Sequence, residues 1–258
     1  MSTFLNASPI FGPVRSRRLG LSLGVNMMPA SGKICTFDCI YCENGLNAER
    51  PCHEPYNTAA VVLEALEAKL REMAAEGEPP DVITFAGNGE PTAAPEFPRA
   101  IAGAVALRDQ LAPNTKIAVL SNGTRADQPA VHDALMMVDD NILKLDTVDP
   151  AFIQLLDQPV GPYDVEHQIE TFAGFNGHVI IQTMFLSGEY RGKSLDNTGE
   201  EYVGPWLAAL ERIRPQEATI YTVARETPVA GLAKAAPEVL DAIAARVRAL
   251  GIPCQVSY

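Results

Sequence analysis

Apolar residues in this chain switch between two periods, and the switches mark its elements. Leu19, Leu21, Leu23 and Val25 recur at every second position, which predicts a first strand. Leu63, Leu66, Leu70 and Met73 recur at helical spacing, with Glu64, Glu67, Arg71 and Glu72 turned to water and Asn57 placed to cap the helix. Short apolar runs follow at 81–86, 116–120, 141–146, 178–186 and 218–223. Between and after them lie amphipathic stretches near 96–111, 129–137, 165–175, 202–213 and 237–250. The run at 178–186 reads as the longest strand, 187–197 as a polar, glycine-containing loop, and 253–258 as a closing strand.

Strand–helix alternation of this kind predicts a parallel sheet with helices outside. A closed eight-stranded barrel takes ~250 residues, so the 258 residues here could only just build one. The expected class is therefore α/β, a partial (open) TIM-type barrel of about six β/α units. No linker or shift in composition divides the chain. It reads as a single domain over 1–258, with a basic arm and first strand at 1–34 and a cysteine loop at 35–42.

Hydrophobic residues make up 47% of the chain, enough for a sizeable core. No apolar run reaches the ~18 residues of a membrane span. Residues 1–13 lack the basic stretch and apolar core of a secretory signal, so the expected location is the cytoplasm, without a membrane partner. The net charge of -12 disfavours nucleic acid, whose binding rests on Lys and Arg. The charge is uneven, however. Arg15, Arg17, Arg18 and Lys33 all precede the first acidic residue, Asp38. This arm is either a solvated basic segment or a clamp for an anionic group, since guanidinium forks match carboxylate and phosphate.

Five cysteines include three in one stretch, Cys35-Thr-Phe-Asp-Cys39-Ile-Tyr41-Cys42, at the spacing C-x3-C-x2-C. Thiolates this close can converge on one metal centre, yet three is one fewer than a closed zinc site or a fully ligated iron–sulfur cube needs. A cube held by three cysteines keeps one iron open to a substrate. Two other readings stand beside this one: zinc with Cys52 or His53 as fourth ligand, and a closed electron-transfer cluster completed by Cys52. Cys52 and Cys254 otherwise read as ordinary small residues. His53, His132, His167 and His178 show no ligand spacing.

In parallel α/β sheets, ligands bind at the C-terminal ends of the strands. The polar exceptions in this chain fall there: Gly87-Asn88-Gly89-Glu90-Pro91-Thr92, Ser121-Asn122, Lys144 and Asp146, Gln182 and Thr183, and Tyr221. Lys144 could equally be a buried partner of Asp146, and Gln182 and Thr183 satisfied core groups.

The cysteine motif with Tyr41, the Gly-Asn-Gly-Glu-Pro-Thr stretch and Ser121-Asn-Gly-Thr124 together resemble the core of radical S-adenosylmethionine (SAM) enzymes. The stretch Gly12-Pro-Val-Arg-Ser-Arg-Arg-Leu-Gly20 resembles a subset related to the wyosine-type tRNA-modifying synthases, whose members mostly have no assigned substrate. The extra upstream cysteines of the wyosine synthases are missing here. The resemblance implies a [4Fe–4S] cluster on Cys35, Cys39 and Cys42. Its open iron would hold SAM, which is cleaved to a 5′-deoxyadenosyl radical that takes hydrogen from a substrate. It further implies that Gly87, Asn88, Gly89 and Glu90 meet the SAM amino group and that Ser121 and Asn122 meet the methionine carboxylate or ribose. Asp146 and Gln182 would be ribose or carboxylate partners, and Tyr41 would lie near the adenine. A reductant such as flavodoxin or ferredoxin is implied as partner. Arg15, Arg17, Arg18, Tyr221 and Arg225 are the expected substrate contacts.

Overall fold

A computed structural model describes residues 4–16 and 19–258. Arg17 and Arg18 lie outside the described residues. The chain falls into two compact bodies, one of Leu5–Cys35 and Arg50–Asn141, the other of Thr36–Glu49 and Ile142–Tyr258 with Phe4.

In the first body, β1 (Ile10–Ser16) and β2 (Gly20–Val25) form an antiparallel hairpin with an irregularity between Phe11 and Val14. Sequence reading had one strand here. Gly12-Pro13 inside β1 suppresses the strand signal, and the middle of β1 is exposed, so no alternation betrays it. α1 (Ala59–Glu76) follows and buries Ala59, Val62, Leu66, Leu70 and Met73. Its cap is Thr58 and not Asn57: the Thr58 side chain accepts from Val61 N. The Asn57 amide is spent elsewhere, donating to Ser8 Oγ and to the carbonyls of Asn26 and Met28. β3 (Val82–Phe85) pairs parallel with β2, and β4 (Lys116–Ser121) pairs parallel with β3. α2 (Phe97–Leu111) connects β3 to β4, and α3 (Pro129–Leu135) follows β4. Leu63 of α1 fits over Gly103 of α2, where an added Cβ would come within 2.2 Å of the leucine.

In the second body, β5 (Asp140–Lys144, its first two residues belonging to the other body) leads to α4 (Pro150–Leu156) and α5 (Val165–Ala173). α4 was not expected. It is a short helix capped by the Asp149 side chain on Phe152 N, with Pro150 at its first position. β6 (Ile180–Met184) pairs parallel with β5.

The apolar run 178–186 is not one strand. It breaks at buried Phe185, and β7 (Leu186–Tyr190) and β8 (Lys193–Ser194) occupy the stretch read as loop. The buried Asn197 side chain makes the break: it accepts from Leu186 N and donates to the carbonyls of Met184 and Asp146, taking groups a continuing ladder would use. α6 (Glu200–Ile213) precedes β9 (Glu217–Tyr221), which pairs parallel with β6. β10 (Leu232–Lys234) lies antiparallel to β7, giving the small sheet β10-β7-β8. Gly188 in β7 has φ +136°, and a Cβ there would stand 2.1 Å from the Gly231 carbonyl, so the glycine that reads as loop punctuation serves close strand approach. α7 (Pro237–Ala249) and β11 (Cys254–Ser257) complete the body, β11 parallel to β9.

Each body repeats parallel strands joined through helices. The fold class is the expected one, α/β of the open TIM-barrel type. Among the described residues no helix is long and apolar enough to cross a membrane.

Candidate active site

None of the five cysteines is in a disulfide. The boundary between the bodies follows Cys35, so each body presents its own part of the candidate site.

In the first body, the residue before Cys35 is tied to the glycine-rich turn that follows β3. Ile34 N donates to the Asn88 carbonyl at 3.0 Å, and Glu90 N donates to the Ile34 carbonyl at 3.0 Å. Gly89 makes this approach feasible. Its φ is +138°, and a Cβ would lie 1.8 Å from the Ile34 oxygen. Gly87, at φ +122°, likewise leaves room for the Asn26 side chain, which a Cβ would meet at 2.6 Å. Asn88 is fully buried and works as a cross-link, accepting from Asn6 N at 2.7 Å and donating to the Pro29 and Asn6 carbonyls.

Glu90 is 2% exposed. Its Oε1 accepts from Thr92 N, Thr92 Oγ1 and Ser121 Oγ, and its Oε2 from Asn122 N at 2.7 Å. Burial nevertheless raises its pKa above the usual carboxylate value, against the opposing pull of these donors. Asn122 also reaches the thiol stretch, its Nδ2 lying 3.8 Å from Cys35 Sγ.

In the second body, Cys39 Sγ faces Lys144 Nζ at 3.3 Å and Asp157 Oδ1 at 3.5 Å. Lys144, at the end of β5, is ion-paired to both Asp146 and Asp157 at 2.9 Å. The Tyr41 hydroxyl donates to Asp146 Oδ2 and accepts from Lys144, whose nitrogen lies 4.3 Å from the ring centroid. Burial alone would depress the Lys144 pKa. Asp146 first, then Asp157, Cys39 and Tyr221, outweigh it and hold the ammonium well above its ordinary value. Burial also pushes the Asp157 carboxyl up, to about 7, with Lys144 pulling against it and Asp146 adding to it. The reading of Lys144 as a buried partner of Asp146 is therefore right and incomplete. Asp157 was missed because it caps the end of unanticipated α4; the Asp149-Pro150 start signal could have found that helix, and so its end.

Gln182 stands half-buried in register between Lys144 and Thr219. Its neighbour Thr183 is a satisfied core group, donating to the Leu145 carbonyl and accepting from Trp206 Nε1. Tyr221 is half-buried at the end of β9. Arg225 is exposed and paired with Glu43, next to Cys42, at 2.5 Å. Arg15 is exposed on β1. Cys52 Sγ lies 3.6 Å from Ser31 Oγ, and burial pushes the Cys254 thiol up to about 11. Among the described residues, no three His, Cys, Asp or Glu side chains already converge as a metal cage; Cys35 and Cys39 are turned to the amide and ammonium partners just named.

Comparison with known proteins agrees with the motif. The Radical SAM superfamily model matches residues 31–191. A UPF0026 protein of Synechocystis is 30% identical over 228 residues, covering 85% of this chain and 77% of its own. A UPF0026 protein of Helicobacter pylori is 30% identical over 190 residues, and the match spans 58% of its length. Among solved structures, a radical SAM methyltransferase from Sphaerobacter thermophilus shares the fold with a TM-score of 0.66 at 18% identity, over 92% of this chain and 66% of that one. SuiB of Streptococcus suis, solved with S-adenosylmethionine, shares it at 0.63 and 13% identity, over 91% of this chain and 49% of its own. Motif, fold and family match lead to one conclusion: this chain belongs to the radical SAM superfamily of enzymes.

Proposed function

We propose that this protein reductively cleaves SAM on a [4Fe–4S] cluster held by Cys35, Cys39 and Cys42, and that it uses the product to take hydrogen from its substrate. One observation carries this reading: Asn122 and Cys35, 87 residues apart in sequence, meet, and Ile34 beside Cys35 is laddered to the Gly87–Glu90 turn. Cys35, the Gly87–Glu90 turn and Asn122 thus come together within one body. The donor set fits the cluster: none of the three thiols is in a disulfide, and Cys39 faces the Lys144 ammonium at 3.3 Å. When bound, the cluster supplies the electron that breaks the C5′–S bond of SAM and yields a 5′-deoxyadenosyl radical.

The chain's own residues bind and orient. Glu90 offers a buried negative charge to the SAM ammonium, while Gly87 and Gly89 let main chain approach. Asn88 holds that turn in place. Ser121 and Asn122 serve the methionine carboxylate or ribose, Asp146 and Gln182 the ribose or carboxylate, and Tyr41 the adenine side. Arg15, Arg17, Arg18, Tyr221 and Arg225 are the proposed substrate contacts, and a flavodoxin or ferredoxin the electron donor.

Anaerobic reconstitution tests the reading. About four irons per chain, an electron paramagnetic resonance signal that shifts when SAM is added, and 5′-deoxyadenosine after reduction are expected. Replacing any one of Cys35, Cys39 and Cys42 with Ala should abolish all three. Iron bound with its fourth corner taken by a protein side chain, and no response to SAM, would sink it. Deuterium appearing in 5′-deoxyadenosine from labelled metabolite pools would identify the hydrogen donor.

A further inference from the structure

Lys144 is 105 residues from Cys39 in sequence, yet its ammonium reaches the sulfur at 3.3 Å. Its side chain is 15% exposed, and Asp146 and Asp157 flank it at equal distances of 2.9 Å, themselves 0% and 3% exposed. Tyr41, one residue before Cys42, lies against the same ammonium. Its hydrogens are therefore shared among carboxylates, a phenol and the cysteine sulfur. The cation cannot swing away without leaving buried carboxylates unpaired, which a protein interior strongly resists. A fixed donor and a fixed positive charge at a ligating sulfur both stabilise an added electron on an iron–sulfur centre.

We propose that Lys144 is a positioning residue for the metal centre: locked between Asp146 and Asp157, it hydrogen-bonds Cys39 Sγ and makes the cluster easier to reduce. This inference rests on Cys35, Cys39 and Cys42 being the cluster ligands. A purely structural lysine, present only to neutralise the two aspartates, would leave the reduction potential where it is.

The test reconstitutes wild type, K144R, K144M and K144M/D157N anaerobically. Iron content and resonance spectra are measured first, followed by a mediated redox titration without SAM. The double variant removes the cation together with one carboxylate, so that it is not burdened by two unpaired buried charges. All four proteins should carry the cluster. Wild type and K144R should titrate together. K144M should titrate lower, by on the order of tenfold in the reduction equilibrium, which is about 59 mV for one electron; the double variant, which removes a cation at 3.3 Å and a carboxylate at 3.5 Å from the same sulfur, should lie between K144M and wild type.

A fully loaded K144M at the wild-type potential overturns the inference, and so does a double variant that titrates below K144M. So does loss of the cluster from both, because tuning the potential leaves the iron ligands intact. A wild-type protein that binds no cluster overturns the ligand reading and the inference together; a loaded wild type with unshifted variants overturns the inference alone.

Discussion

The two bodies bury their carboxylates in opposite ways. In the second, Asp146 and Asp157 share one cation, Lys144, and the group is an ion cluster. In the first, the donors to Glu90 are neutral: an amide N–H and hydroxyl of Thr92, the Ser121 hydroxyl and the Asn122 N–H. Such donors satisfy the lone pairs without cancelling the charge. The contrast separates two tasks. The Lys144 cluster sets one ammonium between two carboxylates and is suited to holding something fixed. Glu90, whose donors named above are all neutral, suits the proposed role of meeting a cationic guest.

The largest effect should come from breaking the ion cluster. K144M leaves two buried carboxylates facing each other and should lose about 3–5 kcal/mol of unfolding free energy. K144M/D157N should recover much of that loss in the same denaturant titration. Gly89→Ala comes next. It combines φ +138° with a Cβ 1.8 Å from the Ile34 oxygen, and should cost about 3 kcal/mol. E90Q keeps the shape but turns an NH2 toward a donor, and should cost about 1–3 kcal/mol while weakening SAM binding. If E90Q cost as much as K144M, the contrast between ion-paired and neutrally satisfied burial would be wrong.

A pH series sharpens the point. The raised pKa of Glu90 means that the folded protein holds this proton more tightly than the unfolded chain. Its contribution is fully present below the ordinary value of 4.5 and is lost as pH rises through the raised value. Wild-type stability should therefore decline over that window, and E90Q should remove that part of the slope. Smallest of all, Gly161→Ala, which meets nothing within 4 Å, should change stability by less than about 0.5 kcal/mol.

Much of the architecture was legible because parallel strands buried on both faces are continuous apolar runs. The strands β3, β4, β5 and β9 lie within a residue or two of where those runs put them. The reading failed where a strand has no buried face, as in β1, or where a side chain ends a ladder from a distance, as Asn197 does at Phe185. In the site, spacing exposed the thiol loop, Glu90 and the Lys144–Asp146 pair, which are local in sequence or carried by a motif. It did not expose Asp157, whose role exists only because α4 carries it back to Cys39. Nor did it show that Asn88 braces the turn, since its partners Asn6 and Pro29 are remote.

The tie between Ile34 and Gly89 runs wholly through main-chain atoms. It therefore asks nothing of the side chain at position 34 and everything of the hydrogen at position 89. Evolution or a designer can repaint position 34, but a single methyl group at 89 would prise the cysteine-bearing segment off the shelf on which it rests.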